Sequence, residues 1–220
     1  MFILILTAAA APAAALLFFF YMKDEFEQEP PSFVLKCFFL GGMLVVPALF
    51  LQYALSEAAE QTSVVHAAAG AGIEEFFKWF LLLVFVYPHA AMNQRYDGIV
   101  YAAAAGLGFA SVENVLYLTA YGLDTAFYRA LFPVSGHALF GVVMGYYFGR
   151  AKFAPDKKGM FLTAALIFPL LLHAGYNAVL RAPAASQWLL PAFMLVLWGA
   201  AVWKVKRANT AQRMASQRET

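Results

Sequence analysis

Seven apolar stretches, each long enough to cross a bilayer and separated by short polar connections, constrain this chain more than any other feature. They run approximately from Phe2 to Met22, Phe33 to Leu55, Val65 to Tyr87, Gly98 to Tyr121, Ala126 to Gly149, Gly159 to Leu180 and Ala184 to Val205. A hydrocarbon layer about 30 Å thick requires about 20 helical residues, and inside it every backbone amide has to be satisfied within its own segment. The sequence therefore predicts an all-α, polytopic membrane helix bundle of about seven transmembrane helices. Composition agrees, with 63% of residues hydrophobic and 13% charged. Soluble domains carry about 25% charged residues. No length remains for a sizeable soluble domain, so residues 1–207 read as one transmembrane domain and 208–220 as a basic cytoplasmic tail. The first stretch lacks the basic leader of a signal peptide and is read as retained.

The few basic residues set the expected orientation. Lys23, Lys36, Arg95, Arg150, Lys152, Lys157, Lys158, Lys204, Lys206, Arg207, Arg213 and Arg218 fall on one side of the seven spans, and only Arg129 and Arg181 on the other. Lys and Arg mark the cytoplasmic side, which requires the N-terminus outside and the C-terminus in the cytoplasm. The net charge of +2 is thereby accounted for by topology, with the bilayer as partner and no nucleic acid. The single cysteine, Cys37, excludes an internal disulfide and a multi-cysteine metal site.

A second population of polar residues lies inside the apolar runs. Span three carries Glu74, Glu75 and Lys78 in GIEEFFKW, span four Glu113 and Asn114 in GFASVENV, span five His137 in SGHALFGVVMG, and span six His173 and Asn177 in LLHAGYN. Each is expensive at the bilayer centre, at about 2.5–3.5 kcal/mol for a charge on insertion scales. Taken singly, each has a purely structural explanation. Glu74 and Lys78 form an i, i+4 helix pair, and a lone His or Asn bonds neighbouring helices together. Depth argues for more. At 1.5 Å per residue, Glu75, Glu113, His137 and His173 all lie roughly 12–15 Å from the outer ends of their spans. Four helices of alternating direction thus bring polar groups to one level, which predicts one site reached by an outward cavity among spans three to six. The stripe His137, Gly141, Gly145, Gly149 sets His137 on a close-packing face, and His66, Gly70, Glu74, Lys78 form a similar stripe.

Carboxylates, imidazoles and an amide held in low dielectric are the parts of general-base hydrolysis. A desolvated Glu accepts a proton from water, and His173 with Asn177, one turn apart, supply donors for an oxyanion. There is no G-x-S-x-G elbow and no H-E-x-x-H helix. Two other functions use the same residue types. A proton-coupled transporter relays protons through Glu, His and Lys in membrane helices, although no repeat or broken helix is legible here. A metal or haem protein would use His137 and His173, joined by Glu75.

The ordered set EEFFK, F-x-x-x-EN at Phe109 to Asn114, the His137-to-Gly145 motif and H-x-x-x-N at His173 to Asn177 resembles the PrsW family of intramembrane proteases, within the larger CAAX-protease and bacteriocin-processing superfamily. The match spans residues 74–177. The resemblance implies a glutamic-type peptidase of the bacterial cytoplasmic membrane. Its substrate would be a membrane-anchored protein, of which an anti-sigma factor is the type case, cut near the extracytoplasmic face. By similarity Glu74, Glu75, Glu113, His137, His173 and Asn177 are catalytic and Lys78 and Asn114 supporting. Glu113 stands where CAAX prenyl proteases carry a histidine, and the choice of base between Glu74 and Glu75 is open. No cofactor is implied, with zinc left as the alternative.

Overall fold

The computed structural model describes residues 1–58, 64–182 and 188–217. The side chain of His66, Arg218 and the first residues of the seventh predicted span lie outside the described residues. Helix α1 covers Phe2–Tyr21. The second span is built from α2, Pro31–Met43, and α3, Val45–Ala58, which meet at Leu44. Helix α4, Val64–Leu81, continues into a π turn at Leu82–Val86. Helix α5 covers Asp97–Tyr121. The short α6, Ala126–Arg129, passes through a second π turn, Ala130–Val134, into α7, Ser135–Lys152. Pro133 sits in that turn, where the wider ladder accommodates a residue with no N–H. Helices α8, Lys158–Leu180, and α9, Leu189–Ser216, complete the chain. Among the described residues there is no strand.

Among the described residues, six helical stretches are long and apolar enough to cross a membrane. The seventh span, α4 with its π turn, is the one that carries Glu74, Glu75 and Lys78, and those charges lower its hydropathy. The protein is an integral, multi-pass membrane protein.

Helix α5 is the centre of the bundle, packed against α7, α2 and α1, and every residue from Asp97 to Ser111 is buried. Lipid tails are as apolar as leucine, so helices associate in a membrane through van der Waals contact, which small residues make possible. The sequence YAAAAGLG of α5 meets the glycine stripe of α7 in this way. A Cβ on Gly141 would lie 2.6 Å from the Ala102 carbonyl oxygen, and one on Gly106 would lie 2.7 Å from the His137 carbonyl oxygen. Gly98 and Gly145 bring their backbones together lower on the same pair. This close approach fixes the height of His137 relative to Glu113. Helices α4 and α8 pack together, and α8 also packs on α7, so the site is enclosed by α4, α5, α7 and α8.

The basic residues gather at the other end. Lys152 Nζ donates to the Tyr87 carbonyl at 2.7 Å, Asn209 Nδ2 to the Lys23 carbonyl at 2.9 Å, and Arg213 pairs with Glu25 at 2.7 Å. The expected tail is a continuation of α9 through Ser216, with Ala208 and Asn209 buried.

Candidate active site

Glu75 projects from the α4 face that packs on α8 and is wholly buried. Its Oε1 accepts from Lys78 Nζ at 2.8 Å and lies 2.9 Å from His173 Nδ1. Lys78, one turn further along α4, also places Nζ 2.9 Å from His137 Nδ1 and 4.4 Å from the centroid of the Phe109 ring. Three helices, α4, α5 and α7, therefore meet at one ammonium group, and Glu75 links it to His173 of α8. A buried charge of this kind is tolerated only when paired, and the carboxylate of Glu75 supplies the pair.

The tautomers of both histidines follow from their neighbours. An ammonium donating to His137 Nδ1 leaves the proton on Nε2, and that nitrogen faces Glu113 Oε2 at 3.2 Å. The carboxylate of Glu75 accepts at His173 Nδ1, which leaves the other nitrogen of His173 as an acceptor. The two rings stand nearly perpendicular with centroids 5.1 Å apart, and Phe140 stacks on His173 at 4.9 Å. Both Nε2 atoms lie 4.0 Å from Glu74 Oε2.

Glu74 follows the opposite course from its chain neighbour. Its Oε1 accepts from Gln52 Nε2 of α3 at 3.0 Å, and its buried Oε2, 3.9 Å from Lys78 Nζ, has no hydrogen-bond partner among the described residues. It borders a cavity of about 350 Å³ lined by Gln52 and Leu55 of α3, Ala67 and Gly70 of α4, and Asn177 of α8. The expected cavity therefore opens among the second, third and sixth spans and not among the third to sixth. On the other side of α4, α5 is in tight backbone contact with α7.

The remaining expected residues divide. Glu113 and Asn114 of α5 are gathered by Arg129 of α6, whose Nε donates to Asn114 Oδ1 at 2.6 Å and whose guanidinium lies 3.6 Å from Glu113. Asn177 does not join the carboxylates. Its Nδ2 makes a long 3.4 Å bond to the Ala67 carbonyl, on the wall of the cavity that Glu74 borders. Two participants were missed by reading the sequence. Gln52 was signalled as an amide within an apolar run, and Arg129 was counted only as an outer-side charge.

Glu74, His137 and His173 each offer a donor atom, and the three lie within 4.8 Å of one another. The carboxylate that converges with the two imidazoles is Glu74, whereas Glu75 sits behind His173 on its other nitrogen.

A family model described as PrsW family intramembrane metalloprotease matches residues 29–205. The chain belongs to the PrsW family. Among curated relatives of this family, a protein named Protease PrsW from Geobacillus kaustophilus is 50% identical over 189 residues, 85% of this chain and 84% of that one. Protease PrsW of Bacillus subtilis is 45% identical over 198 residues, 87% and 89% of the two chains. Protease PrsW of Clostridioides difficile is 27% identical over 190 residues, 80% and 79%. No solved structure matches the chain. As a PrsW family member the protein is an intramembrane peptidase, which sets aside the transporter reading.

Proposed function

We propose that the Glu74, His137 and His173 cluster hydrolyses a peptide bond in a membrane-anchored protein, with Glu74 as the group that takes a proton from the attacking water. The observation that carries this reading is the buried Oε2 of Glu74, which has no hydrogen-bond partner among the described residues and lies 3.9 Å from Lys78 Nζ, 4.0 Å from two imidazole nitrogens and at the edge of a cavity. That spacing is too long for a direct hydrogen bond and suits a water held at about 2.8 Å from each group. His173, oriented through Nδ1 by Glu75, accepts from the water through Nε2, and Glu74 returns the proton it has taken to the leaving amine. His137, oriented by Lys78, directs its Nε2 proton toward Glu113 and the same space. Asn177, held only by a long bond, is the donor available to an oxyanion on the cavity side.

The cut falls at the extracytoplasmic end. Glu113 lies 16 residues along α5 from Asp97, next to the basic end, about 24 Å away, and the positive-inside rule puts the basic end in the cytoplasm. A single-span protein whose outer juxtamembrane segment enters between α3, α4 and α8 fits this geometry, and an anti-sigma factor is such a substrate. The test is purified protein reconstituted with a single-span reporter, with products located by mass spectrometry. Cleavage near the outer boundary by the wild type and none by Glu74→Gln is expected. Undiminished cleavage by Glu74→Gln overturns the role of Glu74.

Metal chemistry is a second reading favoured by the same oxygen. A carboxylate and two imidazoles are a donor set of catalytic zinc, and the Glu75 bond to His173 Nδ1 is the outer-shell carboxylate that such ligands use. The residues fit an ion held by Glu74, His137 and His173, which would acidify a bound water and polarise the scissile carbonyl. What changes in the protein is one proton. His137 binds through Nε2 only if Nδ1 carries hydrogen, so Lys78 has to be neutral and accept from it. Elemental analysis of untagged protein separates the readings: about one equivalent of metal, lost in His173→Ala, supports the second, and activity in metal-free protein supports the first.

A further inference from the structure

A second cavity, of about 330 Å³, lies at the basic end of the bundle, where Arg95, Arg150 and Arg207 converge beside Tyr146, Ala208 and Ala211. Its walls come from the segment before α5, the end of α7 and the last turns of α9. Helix α9 is held over it in part by the Arg95 backbone N–H, which donates to Gln212 Oε1 at 3.3 Å. None of the three guanidiniums forms an ion pair with an acid among the described residues. Glu25 pairs with Arg213, and Glu27 accepts from Gln94 at 3.1 Å. The arginines instead rest on aromatic faces. Arg150 lies 4.1 Å from the Phe161 ring centroid, Arg207 4.9 Å from Trp203 and Arg95 5.3 Å from Phe153. These stacks align the planar groups and leave their N–H edges unused. Burial and the charge of Arg150 both push the Arg95 guanidinium down from its ordinary value, as uncompensated like charges do.

We propose that this cavity binds a phosphate-bearing anion, supplied in the membrane by the headgroup of an anionic phospholipid. Three converging guanidiniums match a tetrahedral phosphate oxyanion, and each offers paired donors to it. The location is appropriate to a lipid, since the cavity lies where the α7 and α9 spans end and its α9 wall, Ala208, Ala211 and Met214, is apolar. Occupancy would tie the helical tail of α9 to the ends of α5 and α7, a role independent of peptide hydrolysis at the opposite end.

The test uses the full chain purified in a neutral detergent. Native mass spectrometry after adding phosphatidylglycerol or phosphatidylcholine is expected to show a retained one-to-one adduct with the former only. Thermal unfolding in rising inorganic phosphate tells whether the free anion suffices. Arg150→Gln and the solvent-exposed Arg207→Gln are each expected to weaken phosphatidylglycerol retention about ten-fold, and Lys206→Gln, outside the cavity, to leave it unchanged. Stabilisation by phosphate that is lost in Arg207→Gln, without selective retention of phosphatidylglycerol, overturns the lipid source and keeps the anion site. Equal retention by Arg207→Gln and Lys206→Gln, or no response to either anion, overturns the proposal altogether.

Discussion

Glu74 and Glu75 are adjacent in the chain and turned to opposite purposes: Glu75 is wholly buried in hydrogen bonds to Lys78 and His173, while Glu74 reaches the cavity with one oxygen that, among the described residues, has no hydrogen bond and only a 3.9 Å approach to Lys78. A step of about 100° around a helix separates them. Glu75→Gln and Glu74→Gln are therefore expected to fail differently. Glu74→Gln loses reporter cleavage by at least about 100-fold with little change in unfolding temperature, since an amide keeps the bond to Gln52. Glu75→Gln loses cleavage and also stability, by about 3 kcal/mol, because the buried Lys78 loses its close partner and keeps only the 3.9 Å approach to Glu74. Parallel cleavage and thermal-unfolding measurements in detergent check both.

The same pair supports a double-mutant cycle. Lys78→Met alone leaves Glu75 without its cation and is expected to cost about 3–5 kcal/mol. The double variant Glu75→Gln, Lys78→Met removes both charges and is expected to recover at least about half of that loss. A double variant as unstable as the sum of the singles would mean that the ion pair is not what holds α4 in place.

Helix contact at the centre of the bundle makes a steric prediction. Gly141→Val puts carbon against the Ala102 carbonyl and is expected to destabilise by about 1–3 kcal/mol or prevent assembly. Gly159 of α8 has open space where a Cβ would stand, so Gly159→Ala is expected to be neutral or stabilising by about 0.5–1 kcal/mol. Unfolding temperatures of the two variants, measured side by side, give the comparison.

Glu29, in the connection between α1 and α2, is buried and accepts a hydrogen bond from Tyr101. Burial first, and then the neighbouring Asp97 carboxylate, push its carboxyl up to about 9. A folded-state value above the unfolded one means that the native protein holds a proton the unfolded chain releases. The contribution of Glu29 to stability is thus fully retained below the ordinary carboxylate range and declines as pH rises from about 4.5 toward about 9. Glu29→Gln keeps a neutral group there and is expected to flatten that decline, as read from unfolding temperature against pH.

Most of the fold was legible because bilayer physics leaves few choices. Seven runs of apolar residues became seven helical spans, and even α4 was readable through its charges, since its length and flanks matched a span. The glycine stripe from His137 to Gly149 was legible for the same reason, because small residues at i, i+4 have one main use in lipid. Within the site, the meeting of Glu75, Glu113, His137 and His173 could be anticipated from depth along four helices. Neither the partner of Asn177, nor the grip of Arg129 on Asn114, nor the place of Gln52 beside Glu74 could be. Those depend on how helices rotate about their own axes, which one-dimensional depth does not record.

The amino-acid sequence alone determined the number of spans, the gathering of basic residues at one end and the level at which polar groups would meet. Each of these follows from the cost of placing charge or unsatisfied backbone in hydrocarbon, a cost paid residue by residue. Tertiary structure alone decided which glutamate faces the cavity, which partner each histidine nitrogen meets, and that three arginines from distant segments line a single pocket. Those are relations between helices, set by the glycine contacts that lock α5 to α7, by the buried ammonium of Lys78 that joins α4 to α5 and α7, and by the Glu75 carboxylate that joins α4 to α8.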